Sequence, residues 1–535
     1  MIEKIPTDRN QLKDDGFSTY PKRVIVKIRD EIPIPPGDDA GAMLEDYGIV
    51  SWYECADLFP HVRIDPLITD QQYQTIQDRI ARAKEAEKLD PTYRQPAFLN
   101  FFVITVPLDQ DPEAIVGYIK ERWGNAVEYV YIRPLPAISP AVTPDDEGNI
   151  DLQGYMEPHN PNATDPADRT VGVDARYAWE NYDSSGGDGQ GVRFIDLEQG
   201  WFLNHIDLPL MPPPLYGVDL EVINDIPAVD NTFKATQKAH GTRSLGVVVA
   251  ADNANLILGI AANADAMVVS KWFELAAPPV PGASIFEENI PHAILAAIEH
   301  LNCGDVLLLE VQLTTSEPNK FDPVELEPTI FNNIRLATAL GIIVVEAAGN
   351  GKNEAGAADN GAYDLDLRPQ LGTGIPILHR AGWSDDDALN YDSKAIIVGS
   401  ATQSHPHQRL VPATQVICNS IPLTFLKALP SNYGSRVDNY AWGQCVSTIG
   451  AEGDFLSPNP NGTTSTFNGT SSASAIVAGV AVVTQAIGRQ LPIPRLIGPE
   501  LMRTILHDNG IASANPSVDR IGTMPNLRNI IINAL

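Results

Sequence analysis

Four stretches of this chain carry side chains able to do chemistry, and each lies where a regular element is expected to begin or end. In Phe194-Ile-Asp196-Leu-Glu-Gln-Gly-Trp201 an aspartate closes an apolar, strand-like run. In Ala239-His240-Gly241-Thr242 an imidazole opens an apolar helical stretch. In Val345-Glu-Ala-Ala-Gly349-Asn350-Gly351 an amide ends a buried strand between two glycines. In Asn468-Gly-Thr-Ser471-Ser-Ala-Ser-Ala-Ile-Val-Ala-Gly479 a hydroxyl sits in the first turn of a helix of small apolar residues. Each alone reads as a turn, a cap or a structural histidine. Together they are a set for attack on a carbonyl: a hydroxyl nucleophile, an imidazole to carry its proton, a carboxylate to orient the imidazole and an amide to receive the oxyanion. The Ser471 N–H, at the positive end of the helix dipole, adds to that last role.

The order Asp196, His240, Asn350, Ser471 and the residues around them resemble the subtilisin-like (subtilase) serine peptidases. His-Gly-Thr is intact at His240–Thr242, and Ala-Ala-Gly-Asn at Ala347–Asn350. Gly-Thr-Ser-x-Ala-x-Pro-x-Val-x-Gly runs from Gly469 to Gly479, with Ala475 in place of proline. Ser431-Asn-Tyr-Gly434, Val437-Asp438 and Ser447-Thr448 continue the likeness, and His205-Ile-Asp207-Leu208 stands where the family has His-Pro-Asp-Leu. The resemblance covers Val171 to Leu535. It implies a serine endopeptidase acting on protein or peptide substrates: Ser471 attacks, His240 takes and returns the proton, Asp196 orients His240, and Asn350 with the Ser471 N–H binds the oxyanion. It also implies a zymogen, whose N-terminal unit assists folding, inhibits, and is cut within residues 134–170. Structural calcium follows from the resemblance as well, with Asp364/Asp366 and Asp385-Asp386-Asp387 as oxygen donors. A catalytically inactive binding protein on the same fold is the alternative, and fluorophosphonate labelling of Ser471 separates the two.

Two departures stand beside this likeness. The family's Asp-(Thr/Ser)-Gly is widened to Asp196-Leu-Glu198-Gln-Gly200. A second carboxylate close to Asp196 would raise one of the two pKa values, and a surface position is expected for Glu198. Where the family carries Ser-Leu-Gly, this chain has Glu310-Val311-Gln312. That strand is expected to wall the substrate cleft and pair with extended peptide, with Glu310 and Gln312 narrowing or charging it.

The elements that must position these residues follow from periodicity. Strands are predicted at 191–196, 266–270, 305–309, 341–346 and 395–399, and helices at 240–251, 286–302, 328–340, 472–488 and 500–508. Short, almost wholly apolar strands between helices mean a mostly parallel sheet covered on both faces, an α/β fold with active groups at the strand C-terminal ends. Upstream, strands at 23–29, 98–106 and 127–132 with helices at 71–88 and 112–122 predict a small α+β unit. The domains are thus a polar tail over 1–19, the α+β propeptide-like unit over 20–133, a Pro- and acid-rich linker over 134–170 and the catalytic unit over 171–535. The acidic tract 145–151 in the linker has its glycine at the wrong offset for an EF-hand.

Bulk properties exclude other classes. Thirty-seven basic against 68 acidic residues leave a net charge of -31, which repels phosphate backbones and anionic lipid. Nucleic-acid and membrane partners are therefore not expected. No signal-peptide core precedes the first predicted strand, so cytoplasmic residence or another export route is expected. Four cysteines in 535 residues are no disulfide framework, although Cys418 and Cys445 flank one segment and could pair.

Overall fold

The computed structural model describes residues 22–34, 39–68, 73–107, 109–136, 153–160, 162, 171–182, 185–209, 211–217, 231–253, 257–274, 286–314, 320–352, 361–412, 416–418, 421–423, 429–452 and 459–535. The polar tail over 1–19, the acidic tract 145–151 and most of the linker lie outside them.

Near the N-terminus, β1 (Lys22–Ile28), β2 (Arg63–Pro66), β3 (Phe101–Val106) and β4 (Val127–Ile132) form an antiparallel sheet in the order β2-β3-β1-β4. The two-residue period of a strand divides its side chains between two layers. Val24, Val26, Phe102 and Ile104 point into a core of their own with helix α2 (Pro112–Arg122), whose Ile115 and Ile119 are buried there. Ile25, Phe101, Val103 and Tyr131 point the other way, into the core of the larger unit. Strands that bury both faces read as continuous apolar runs, and Phe101–Val106 does. Two short helices at Ala40–Asp46 and Trp52–Leu58 complete this unit.

The larger unit is built on an eight-stranded sheet. Its strands are β6 (Arg193–Glu198), β7 (Asp265–Ser270), β8 (Val306–Leu309), β11 (Ile343–Ala347), β12 (Ile396–Ala401), β13 (Asn439–Trp442), β14 (Ile511–Ala512) and β15 (Thr523–Met524), in the order β14-β15-β13-β12-β11-β8-β6-β7. Every pairing from β15 to β7 is parallel, and only the β14–β15 pair is antiparallel. Between β8 and β11 lie β9 (Gln312–Thr314) and β10 (Asp322–Pro323) of a small separate sheet, joined there by β5 (Leu135–Pro136). Helices α3 (Asn231–Val249), α4 (Ile290–His300) and α5 (Pro328–Ala339) cross between strands, and α6 (Gly469–Gln490) runs through the centre. Alanines, valines and glycines make α6 thin enough to be buried all round, from Gly469 to Gly488. It is long and apolar enough to cross a membrane, yet its apolar window lies wholly inside the fold.

The two units meet through polar anchors around an apolar seam. Helix α1 (Tyr73–Leu89) reaches α4 by Arg79 Nε to Glu299 at 2.8 Å and by Arg82 to the Leu301 carbonyl at 2.6 Å. Asp90, just beyond α1, accepts from Lys394 at 2.8 Å and lies 3.3 Å from Arg335 of α5, which hold its carboxyl far below the usual range.

A second ionic cluster braces the segment 431–438. Arg436 is fully buried, bonded to Asp438 and within 4.0 Å of Glu325 and 3.6 Å of Asp392. Removing one partner of such a group strands buried charges, so Arg436→Met is expected to cost about 3–5 kcal/mol, read as a lowered urea midpoint.

Candidate active site

Strand β6 carries two carboxylates on one face, because Asp196 and Glu198 are two residues apart. Both are fully buried, so Glu198 is not the surface residue expected for it. The one nearer the strand's C-terminal end meets the histidine. Glu198 Oε2 lies 2.5 Å from His240 Nδ1, and Glu198 Oε1 accepts from the Gln199 N–H at 2.8 Å. Asp196 is turned elsewhere: its Oδ2 accepts from Trp201 Nε1 at 2.7 Å, and its Oδ1 has no partner among the described residues. Burial first, then the neighbouring charge of Glu198, push the Asp196 carboxyl well above the carboxylate range. The expectation that Asp196 orients His240 is thus not met.

The reason lies in the strand's true end. Asp196 is expected to close the strand, whereas the ladder continues to Glu198, paired with Ser270 of β7. A sequence signal for Glu198 existed: Glu198-Gln199-Gly200 keeps the acid-x-glycine spacing of the family motif, and Asp196 does not.

His240 lies within α3 and not at its start, since the helix begins nine residues earlier at Asn231. Gly241 explains how a glutamate reaches it. A Cβ there would stand 2.8 Å from Glu198 Cγ and 2.4 Å from the Gly200 carbonyl, so only hydrogen leaves room for that approach. Thr242 Oγ1 ties the helix down, accepting from the Phe202 N–H at 2.8 Å and donating to the Lys238 carbonyl at 2.7 Å. Phe467 stands edge-on to the imidazole at 5.5 Å. With Nδ1–H donated to the carboxylate, Nε2 is the basic nitrogen; it is buried and has no partner among the described residues.

Ser471 is the third residue of α6 and keeps 7% of its surface exposed. Its N–H is among the first four of the helix, which lack intrahelical acceptors. Asn350 follows β11, and its Oδ1 accepts from the Thr470 N–H at 2.9 Å and from Thr470 Oγ1 at 3.1 Å. Gly469, at φ +85°, permits this, since a Cβ would come within 2.8 Å of that oxygen. The Asn350 Nδ2 group is thereby turned the other way, toward Gln312 Oε1 at 3.4 Å. Behind it, Asn432 Nδ2 donates to the carbonyls of Ala348 and Phe321, fixing the loop that carries Asn350.

Of the expected cleft wall, Val311 is buried in the core and Gln312 is half-buried at the Asn350 amide. Glu310 does not charge the cleft surface as expected. It is buried, with Oε1 2.7 Å from Ser474 Oγ and its carboxyl against the Ser471 hydroxyl. Glu198, His240 and Glu310 each bring a donor atom within 4.8 Å of the others. The 2.5 Å contact between Glu198 and His240 is too short for those two atoms to share one ion, whose ligands stand roughly 3.3 Å apart at bond lengths of about 2 Å. Of the expected calcium donors, Asp364 and Asp366 are both bound by Arg520, and Asp387 accepts from the Ser384 N–H in the capping box of the helix Asp385–Tyr391. The side chain of Asp385 lies outside the described residues. His205, the expected family histidine, is structural, with Nε2 2.8 Å from the Gly462 carbonyl. Cys445 is disulfide-bonded, Cys55 and Cys303 are free thiols, and the side chain of Cys418 lies outside the described residues.

A sequence profile for the subtilase family (Peptidase_S8) matches residues 217–520, more than half of the chain. The chain belongs to the subtilase family. Among solved structures, fervidolysin from Fervidobacterium pennivorans, described as a keratinolytic enzyme related to subtilisin, is 14% identical over 85% of this chain, with a TM-score of 0.47. This subtilase spans 60% of the fervidolysin chain. A cold-adapted subtilisin-like serine proteinase is 18% identical, covering 64% of this chain and 89% of its own, with a TM-score of 0.36. No curated protein sequence matches this subtilase. The profile match begins after β6, so the identity of the histidine's carboxylate rests on the 2.5 Å contact.

Proposed function

We propose that this subtilase is a serine endopeptidase with a Glu198–His240–Ser471 triad, made as a zymogen. The observation that carries the reading is the buried Glu198–His240 contact beside the first turn of α6. Glu198 fixes the tautomer with Nε2 as the base and offsets the imidazolium that forms when Ser471 gives up its proton. The extra methylene of glutamate spans the room that Gly241 leaves. The oxyanion is received by Asn350 Nδ2 and the Ser471 N–H, and Gln312 Oε1 gives way to it. Asn350→Ala is expected to lower kcat by about 10²–10³-fold with little change in KM, measured on a fluorogenic peptide.

The zymogen reading is supported by β5. Leu135 and Pro136, directly after the N-terminal sheet, pair antiparallel with Thr314 and Leu313 of β9, as a substrate strand would. The N-terminal unit is then an inhibitor that lays its own exit strand along the cleft, with the scissile bond a few residues beyond Pro136. Intact mass after expression tests this. A cut between 137 and 152 is expected in the wild type and not in Ser471→Ala; the same cut in both would reject autoprocessing.

A further inference from the structure

Glu310 has no role in a three-residue triad, yet it is the carboxyl that touches the nucleophile's helix. Its surroundings contain carboxyls and hydroxyls. Asp196 and Glu198 face it from β6, Ser471 and Ser474 from α6, and His240 from α3 lies in the same cluster. Among the described residues no lysine or arginine forms an ion pair with it. Oε2 is buried without a hydrogen-bond partner, and Oε1 lies 2.7 Å from Ser474 Oγ.

Proton counting at Ser474 bears on the state of this group. Three oxygens surround its hydroxyl: Glu310 Oε1 at 2.7 Å, the Thr470 carbonyl at 2.8 Å and the Ser471 carbonyl at 3.0 Å. A serine hydroxyl has one proton, and carbonyls only accept. With that proton given to the helix carbonyls, the shortest contact needs a proton from the other side, which a carboxylic acid supplies.

We propose that Glu310 is a positioning residue working as a neutral carboxylic acid, donating to Ser474 to hold the first turn of α6, and that its ionisation switches the site off. This rests on the peptidase reading above. Ionised, Glu310 would add a buried anion beside Glu198 and against Ser471, where negative charge must develop during attack. Burial first, then the neighbouring carboxyls of Asp196 and Glu198, favour the neutral form, so the effect falls on the alkaline side.

The test is the shape of kcat/KM against pH, taken as a ratio within each protein. In the wild type an alkaline limb is expected, falling about tenfold per pH unit, and Glu310→Gln, whose amide can still donate to Ser474, loses it. The same limb in both proteins would overturn the proposal. Should Glu310→Gln not fold, Ser474→Ala decides. Loss of the acceptor for the Glu310 proton moves the limb to lower pH, whereas a move to higher pH would mean that Ser474 donates to a carboxylate. Infrared difference spectra in the Ser471→Ala background read the proton without activity. The protonated-carboxyl stretch at neutral pH is expected to weaken on adding Glu310→Gln; loss of a carboxylate band instead would overturn the assignment. A wild type inactive at every pH would reject the peptidase reading, and with it the switch.

Discussion

Glu198→Gln is expected to lower kcat by about 10⁴-fold, close to 5.5 kcal/mol of transition-state stabilisation, while Asp196→Asn changes it by less than about tenfold. The carboxylate of Glu198 accepts the Nδ1 proton of His240 at 2.5 Å. Glutamine in its place turns an amide N–H toward that nitrogen, drives the proton to Nε2 and leaves no lone pair for Ser471. Asp196 has no such duty. Its bond is to Trp201 Nε1, an acceptor task that an asparagine oxygen performs equally well. Burial, then the charge of Glu198, push this carboxyl toward its neutral form, which asparagine mimics. Steady-state kinetics on one peptide suffices, and a large loss in Asp196→Asn would return the role to the residue that sequence reading chose.

Ser471→Ala is expected to be the larger loss, about 10⁶-fold in kcat, leaving only the acceleration from binding and the oxyanion donors. The fold should be untouched. Ser471 makes no helix cap of its own, and the first turn of α6 is held by Thr470 to Asn350 and by Ser474 to the Thr470 carbonyl. Equal urea midpoints for wild type and variant would show that the loss is chemical.

Much of the scaffold was legible because burial on both faces leaves an unambiguous mark. The runs at 306–309, 343–347 and 396–401 are apolar, short and flanked by helices, so the parallel sheet followed from pattern alone. The histidine, asparagine and serine of the proposed site stand in the sequence beside neighbours whose small size the geometry requires, Gly241 and Gly469 above all. The end of β6 is masked in the sequence for a physical reason. A charged residue normally marks the end of a buried strand, since an unpaired buried charge is costly. Here burial pushes the Asp196 carboxyl toward its neutral form and Glu198 pairs with His240, so β6 continues two residues past its apparent stop. Glu310 was misplaced likewise. It follows β8 directly, and only the three-dimensional position of Ser474, 164 residues away, shows that it faces inward.

The most direct measurement for the whole account is the rate at which a fluorophosphonate adds to the protein, followed by intact mass in wild type, Ser471→Ala, Glu198→Gln and Asp196→Asn. One adduct on the wild type is expected, none on Ser471→Ala, slowed addition by orders of magnitude on Glu198→Gln, and near wild-type addition on Asp196→Asn. Labelling of Ser471→Ala, or fast labelling of Glu198→Gln alongside an inert Asp196→Asn, would contradict it.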